Sequence, residues 1–337
     1  MTDTIQLRVV SIIRETELAS TFILEEVAGN PVPYKAGQFL TFIFNFHGRE
    51  VRRSYSFSST PEIDDKLSVT IKRVQNGEVS RYMLDRVHPG DILTALPPAG
   101  MFVPAQTENE GRDIFLLAAG SGITPVYSVL KFILHNELQS RVVLIFQNRS
   151  KEETIFRTQL ENLVSVYRER FVWIDMILPR LNNEQLEIII KHQIRFKRED
   201  ALFYICGPVS FMRMCQFTIM VLKFSRDQIR KEFFVIDTPP PPPLLTDTRP
   251  KTVRVRGKKE YSFTTAYPKT ILESALDQSI PLPYNCRNGR CSTCVARCVS
   301  GNVKMSVNEV LTEKDIANGL VLTCVGYATS DIELRFD

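Results

Sequence analysis

The chain has 337 residues, too many for one typical hydrophobic core, which implies two or three domains. Its 44% apolar and 24% charged content is ordinary for a globular protein, and a net charge of +4 does not call for nucleic acid. Ile114–Ala119 and Phe217–Leu222 are too short to span a membrane and suit a buried strand and part of a buried helix; the opening MTDTIQLRVV lacks a secretion signal, so a cytoplasmic protein without membrane insertion is expected.

Residues 5 to about 104 read as all-β. The runs Gln6–Ile13, Ser20–Glu26, Phe39–Phe44, Arg53–Ser58 and Leu67–Arg73 are separated by turn signals such as Gln75-Asn76-Gly77 and Pro89-Gly90-Asp91. Strands at this spacing predict an antiparallel barrel or sandwich, with a helix-like segment at Arg81–Asp85. From 112 to about 237 the pattern changes. Apolar strands (Ile114–Ala119, Val142–Gln147, Phe171–Leu178, Leu202–Cys206) alternate with helical stretches (Pro125–Glu137, Glu152–Tyr167, Asn183–Lys191, Val209–Phe224), predicting an open parallel α/β sheet. Pro239–Pro243 can neither join a ladder nor continue a helix; at about 3.1 Å per residue it predicts a semi-rigid spacer of roughly 16 Å. Beyond it come strands Thr252–Arg256 and Glu260–Thr265, a helix Thr270–Asp277, and strands Cys294–Val299, Val321–Val325 and Ile332–Phe336. The expected division is 1–107, 108–238, a linker at 239–249, and 250–337.

The first region contains Arg53-Ser54-Tyr55-Ser56-Phe57-Ser58-Ser59, an Arg-x-Tyr-Ser-x-x-Ser pattern that alone also describes an ordinary strand. Gly77-Glu78-Val79-Ser80 precedes the helix, and Pro98-Ala99-Gly100-Met101-Phe102 follows. In this order the three elements resemble the ferredoxin–NADP reductase family. The resemblance implies a FAD-binding barrel in which Arg53 pairs with the pyrophosphate, Tyr55 stacks on the isoalloxazine and Ser56 reaches its N5 region. It also marks Ser59 as cofactor-binding, and Gly77 and Ser80 as a second phosphate site at a helix N-terminus.

The α/β region opens with a buried strand running into Gly120-Ser121-Gly122-Ile123-Thr124-Pro125, where Thr124 and Pro125 suit an N-cap and first helical position. Such a turn can present backbone N–H groups to a pyrophosphate. Gly120, Gly122 and Pro125 match the same family's Gly-x-Gly-x-x-Pro. Its Cys-Gly-Pro beside the nicotinamide is matched by Cys206, Gly207 and Pro208, and its terminal Glu-x-Phe by Glu232, which the resemblance places near the hydride path. Asn148-Arg149-Ser150-Lys151 follows the second strand with no acidic residue to hold a free ribose hydroxyl. Arg149 therefore tilts the expectation from NADH toward NADPH.

Five of the seven cysteines lie between Cys286 and Cys324. Cys286, Cys291 and Cys294 form Cys-x4-Cys-x2-Cys, with Cys324 as fourth, the spacing of plant-type 2Fe–2S ligation; zinc is the competing reading. Gly289 supplies the torsional freedom of such a loop. Cys298 and Cys215 read as buried core thiols. The last segment resembles the β-grasp fold of plant-type ferredoxins, although Arg287 and Arg290 give its cluster loop a basic rim.

The succession of barrel, nucleotide domain, linker and ferredoxin resembles the reductase components of multicomponent bacterial oxygenases, such as that of phenylacetyl-CoA epoxidase. The resemblance implies electron flow from NAD(P)H through FAD and a 2Fe–2S cluster to an acceptor protein, an oxygenase, hydroxylase or desaturase, with Tyr55, Ser56, Cys206 and Glu232 nearest the chemistry. A stand-alone oxidase or quinone or dye reductase, and a redox sensor, are the alternatives.

Overall fold

A computed structural model describes residues 4–105, 111–234, 241–257 and 260–336. They fall into two compact units, one spanning Thr4–Phe234 and the other built from the residues beyond it. No helix among the described residues is long and apolar enough to cross a membrane.

The first unit begins with six antiparallel strands: β1 (Ile5–Thr16), β2 (Ala19–Glu26), β3 (Phe39–Phe46), β4 (Arg49–Ser56), β5 (Leu67–Lys72) and β6 (Ile92–Ala99), in the order β4-β3-β6-β1-β2-β5. Alternation along these strands turns Leu7, Val9, Phe22, Leu24, Leu40, Phe42, Val69 and Ile71 into one core, closed by Val79 and Met83 of α1 (Glu78–Arg86). The chain leaving β4 bridges back to β5 through Phe57 and Val69, so the two outer strands meet and the sheet curls into a barrel.

The same unit continues with a five-stranded parallel sheet. Its elements are β7 (Asp113–Ala119), α2 (Ile123–Asn136), β8 (Arg141–Asn148), α3 (Arg157–Val166), β9 (Phe171–Ile177), α4 (Asn183–Gln193), β10 (Leu202–Cys206), α5 (Val209–Val221) and β11 (Ile229–Glu232). The order β11-β10-β7-β8-β9 puts a reversal of strand order between β7 and β10. In open α/β sheets the crevice beyond the carboxyl ends of such strands is where ligands bind. All seven residues of β7 are buried, as a strand covered on both faces requires.

Barrel and sheet are fastened by buried polar contacts. Ser128 Oγ of α2 donates to the Ser59 carbonyl at 2.6 Å and accepts from the Gly37 N–H at 3.3 Å, while Thr60 Oγ1 donates to the Ser128 carbonyl at 2.9 Å. The connecting segment is held by the Tyr204 hydroxyl, which accepts from Ala105 N at 3.0 Å and donates to Val103 O at 3.1 Å.

In the second unit, β12 (Lys251–Arg256), β13 (Tyr261–Thr265), β14 (Val295–Ser300), β16 (Leu320–Leu322) and β18 (Ile332–Arg335) form a sheet ordered β13-β12-β18-β14-β16. β15 (Val303–Met305) pairs separately with β17 (Gly326–Ala328), and α7 covers Glu313–Ala317. α6 (Ile271–Asp277), capped by Thr270 in a reciprocal box with Glu273, sends Ile271, Leu272 and Ala275 into the core. Parallel β12–β18 pairing inside an otherwise antiparallel sheet, with a helix packed on it, is the expected β-grasp arrangement.

Several local expectations need correction. β6 is not among the strands the sequence predicts, because Pro97 and Pro98 argue against a strand; they lie near its end, past the pairing with β1. α3 starts at Arg157 and not Glu152, since Phe156 takes a left-handed backbone (φ 61°) that no helix continues through. α2 begins at Ile123 with Gly122 as N-cap, so Thr124 and Pro125 lie within its first turn and the Thr124 hydroxyl donates to Ser121 O at 3.1 Å. α5 leaves Phe217 and Val221 exposed on its outer face. Cys324 lies just beyond β16, in a turn, and Cys298 is half-exposed and not a core thiol. Pro239 and Pro240 of the spacer lie outside the described residues. At its far end Asp247 accepts hydrogen bonds from Arg249 and from Lys251, at 2.8 Å in each case.

Candidate functional site

β3 and β4 pair so that Arg53 faces Phe42 and Tyr55 faces Leu40, placing Arg53 and Tyr55 on one face, two residues apart. Arg53 is exposed, and its guanidinium donates to the Arg52 carbonyl at 2.7 Å. Burial pushes the Tyr55 phenol up, partly offset by the Arg53 charge. A neutral, largely covered aromatic face beside a cation suits a flat ring carrying a pyrophosphate tail. From Ser56 to Thr60 the chain is buried throughout. The Ser59 hydroxyl accepts from Tyr34 OH at 2.8 Å and from Ser68 N at 2.9 Å, so it braces the barrel.

Gly77 caps α1. A β-carbon on it would lie 2.5 Å from Ser80 Oγ and 2.8 Å from the Val74 β-carbon. Ser80 Oγ in turn accepts from Val74 N at 3.2 Å and lies 3.3 Å from the Gly77 carbonyl. This cradle fits a phosphate at a helix N-terminus, where backbone N–H groups point outward.

At the strand-order reversal, the turn after β7 meets the turn after β10. A β-carbon on Gly122 would lie 2.1 Å from the Cys206 carbonyl oxygen and 2.8 Å from Gly207 N; one on Gly207 would press on the Ala119 β-carbon at 3.0 Å. Gly120 has φ 55° and open space beside it. The parallel register aligns Cys206 with Glu232, both fully or nearly buried. Burial first, and the Glu232 charge second, push the Cys206 thiol well up, so it stays protonated. Gly120, Gly122, Cys206, Gly207, Pro208 and Glu232 therefore gather around the carboxyl ends of β7, β10 and β11. Arg149 is exposed one residue past β8, and its charge helps Lys72 hold the Glu153 carboxyl below the usual range.

In the second unit Cys286, Cys291, Cys294 and Cys324 converge, all buried. Hydrogen bonds from neighbouring thiols pull Cys286 and Cys294 down, while Cys291 and Cys324, on the donating side and buried, are pushed up. Backbone N–H groups turn toward the sulfurs: Cys286 N to Cys291 Sγ at 3.4 Å and Asn288 N to Cys286 Sγ at 3.3 Å. The loop needs left-handed backbone at Arg287, Gly289 and Ser292; the Arg287 guanidinium lies 4.4 Å from the Tyr284 ring centre. Among the described residues no three His, Cys, Asp or Glu side chains are arranged to hold a single metal ion. Four soft thiolates with N–H donors at their sulfurs fit a cluster that brings its own bridging sulfides.

What sequence reasoning missed is a set of buried polar contacts: the Ser128 junction and a row of hydroxyls on β2 and β5. Serine and threonine in strands give no signal that distinguishes a hydrogen-bonded row from ordinary strand composition.

The barrel, the strand-reversal cleft and the thiol cage are those of an oxidoreductase that uses FAD, a nicotinamide nucleotide and a 2Fe–2S cluster. Residues 11–103 match the family model of the oxidoreductase FAD-binding domain, 116–216 that of the oxidoreductase NAD-binding domain, and 253–329 that of the 2Fe-2S iron-sulfur cluster binding domain. The chain is 32% identical to the ferredoxin reductase component of 3-ketosteroid-9-alpha-monooxygenase from Mycolicibacterium smegmatis, over 99% of this chain and 97% of that protein. It is 31% identical to one of the subunits of 1,2-phenylacetyl-CoA epoxidase from Escherichia coli, over 94% of this chain and 92% of that one. The chain belongs to this family of iron–sulfur flavoprotein reductases. Among solved structures, phthalate dioxygenase reductase shares the fold (TM-score 0.60, 22% identity, 99% of this chain and 98% of that one). A type IV self-sufficient cytochrome P450 monooxygenase shares it over 98% of this chain (TM-score 0.71, 18% identity), which spans 40% of that longer protein.

Proposed function

We propose that this protein delivers electrons from NAD(P)H to a separate acceptor protein of the oxygenase class, and that its residues divide the work as follows. Bound FAD and the cluster would supply the conversion of a two-electron hydride into single electrons. Arg53 holds the flavin pyrophosphate, with Gly77 and Ser80 as a second phosphate site; Tyr55 covers the isoalloxazine face, Ser56 lies toward its N5 edge and Ser59 braces the wall. Gly120, Gly122, Thr124 and Pro125 shape the turn that takes the nucleotide pyrophosphate, and Arg149 favours a 2′-phosphate. Cys206, Gly207, Pro208 and Glu232 line the nicotinamide end. Cys286, Cys291, Cys294 and Cys324 hold the cluster.

The observation that carries the reading is the packing of Gly122 on the Cys206–Gly207 peptide, which joins the pyrophosphate turn to the nicotinamide turn in the unit that contains the barrel. We assign residues 1–107 to the flavin domain, 108–238 to the nucleotide domain, 239–249 to the linker and 250–337 to the cluster domain. Four cysteines committed to a thiolate-held cluster suit a reducing compartment, and the cytoplasm is the proposed location. The test is NAD(P)H consumption with and without a purified oxygenase component. A many-fold rise on adding the acceptor supports the reading; equally fast turnover with oxygen or quinone alone contradicts it.

A further inference from the structure

Barrel and nucleotide sheet meet in an ion pair as well as in the Ser128 contacts. Lys72 Nζ, at the end of β5, lies 2.8 Å from a carboxylate oxygen of Glu153, in the loop that follows β8. Their side chains are only 20% and 27% exposed, so solvent screens this pair less than it would a surface bridge. β5 and β8 both pass within 8 Å, Cα to Cα, of the Gly120–Gly122 turn, so the bridge joins elements on either side of it. The Glu153 backbone is well anchored. Thr154, Ile155 and Phe156 beyond it are buried, and the loop is closed by Thr154 N to Lys151 O at 3.1 Å and Thr154 Oγ1 to Ser150 O at 3.2 Å.

In dinucleotide-binding α/β folds a carboxylate in this region accepts a hydrogen bond from a free ribose 2′-hydroxyl, whereas an arginine accommodates a 2′-phosphate. This loop carries both types, in Arg149 and Glu153. Lys72 first, and Arg149 after it, keep the Glu153 carboxyl ionised, so a negative charge stands beside the arginine. A phosphate monoester at Arg149 brings about −1.5 to −2 more charge against that carboxylate, and NADH brings only a hydroxyl.

We propose that Glu153 is a specificity-determining residue, repelling the 2′-phosphate that Arg149 attracts and so setting how far the site prefers NADPH over NADH. The inference rests on the 2′-phosphate role proposed for Arg149. A like charge placed against one of two competing ligands is a general means of discrimination. Lys72 shares the carboxylate and limits the repulsion, which makes the effect one of degree and not exclusion. Glu152 has no such part: it is exposed, and its carboxyl answers to Ser150, Lys151 and Arg157.

Glu153→Gln removes the charge but keeps the length and an oxygen for Lys72. Titrating the holoenzyme with 2′,5′-ADP and with 5′-AMP isolates the 2′-phosphate, because the two probes differ only in that group. Glu153→Gln is expected to tighten 2′,5′-ADP about tenfold and to leave 5′-AMP within about twofold of wild type. The NADPH-to-NADH ratio of kcat/KM should rise by the same factor of about ten, with Glu152→Gln near wild type in every measurement. Unchanged 2′,5′-ADP affinity in Glu153→Gln, equal tightening of both probes, or the same gain in Glu152→Gln would overturn the assignment. Failure of the underlying 2′-phosphate reading registers separately, as unchanged 2′,5′-ADP affinity in Arg149→Ala.

Discussion

Gly122 lies against the peptide joining Cys206 to Gly207, so close that a β-carbon on it would be 2.1 Å from the Cys206 carbonyl oxygen. Backbone sits on backbone here, so neither side can give way as a flexible side chain would. The contact fixes the spacing between the turns that follow β7 and β10. Gly122→Ala should therefore part them, costing about 1–3 kcal/mol in strain. We expect the KM for the nicotinamide nucleotide to rise and hydride transfer to slow, with flavin and cluster content unchanged. Steady-state kinetics alongside cofactor absorbance checks this; wild-type kinetics in the variant would refute it.

Ser128 ties barrel to sheet through its hydroxyl and through its carbonyl, which accepts from Thr60 Oγ1. Ser128→Ala leaves the buried Ser59 carbonyl and the Gly37 N–H each short of that partner, a loss of about 1–3 kcal/mol. Urea unfolding followed by flavin fluorescence should show an earlier midpoint. An unchanged midpoint would mean that water replaces the hydroxyl and the junction contributes nothing.

The thiol cage predicts opposite outcomes for two cysteines in one unit. Cys324→Ser removes a converging sulfur and should abolish the visible absorbance of the cluster while NAD(P)H still bleaches the flavin, because barrel and nucleotide sheet lie in the other compact unit. Cys298→Ser should change neither, since that half-exposed thiol faces the Ser300 and Gly301 carbonyls. A cluster lost from both variants would point to general misfolding.

The 2′-phosphate role proposed for Arg149 makes a direct prediction about coenzyme preference. Arg149→Ala should raise the KM for NADPH about tenfold, the equivalent of one charge-assisted hydrogen bond, and leave that for NADH almost unchanged. Equal shifts for both would remove the assignment of a 2′-phosphate to this arginine.

Elements with strong periodicity were legible from residues alone. β7 from Ile114 onward and β10 are unbroken apolar runs, and α6 lies within the helix expected over Thr270–Asp277. The four cysteines were legible through spacing, because a cluster loop must bring its ligands around in few residues. β6 was obscured because Pro97 and Pro98 argue against a strand yet lie near its end, where they lengthen it past its β1 pairing. The true start of α3 was hidden by Phe156, whose positive φ no propensity predicts. The hydroxyl row was illegible for a different reason: Thr21 and Thr70 lie 49 residues apart, and only the pairing of β2 with β5 sets them opposite.

The central claim is electron flow from a nicotinamide nucleotide through flavin to cluster within one chain. Anaerobic titration with NADPH or NADH, read by flavin absorbance and by the electron paramagnetic resonance of the reduced cluster, tests it most directly. The flavin should bleach and the cluster signal should appear in the wild type, whereas Cys324→Ser should bleach without any cluster signal. A wild-type flavin that bleaches while its assembled cluster stays oxidised, even with excess nucleotide, would contradict the account.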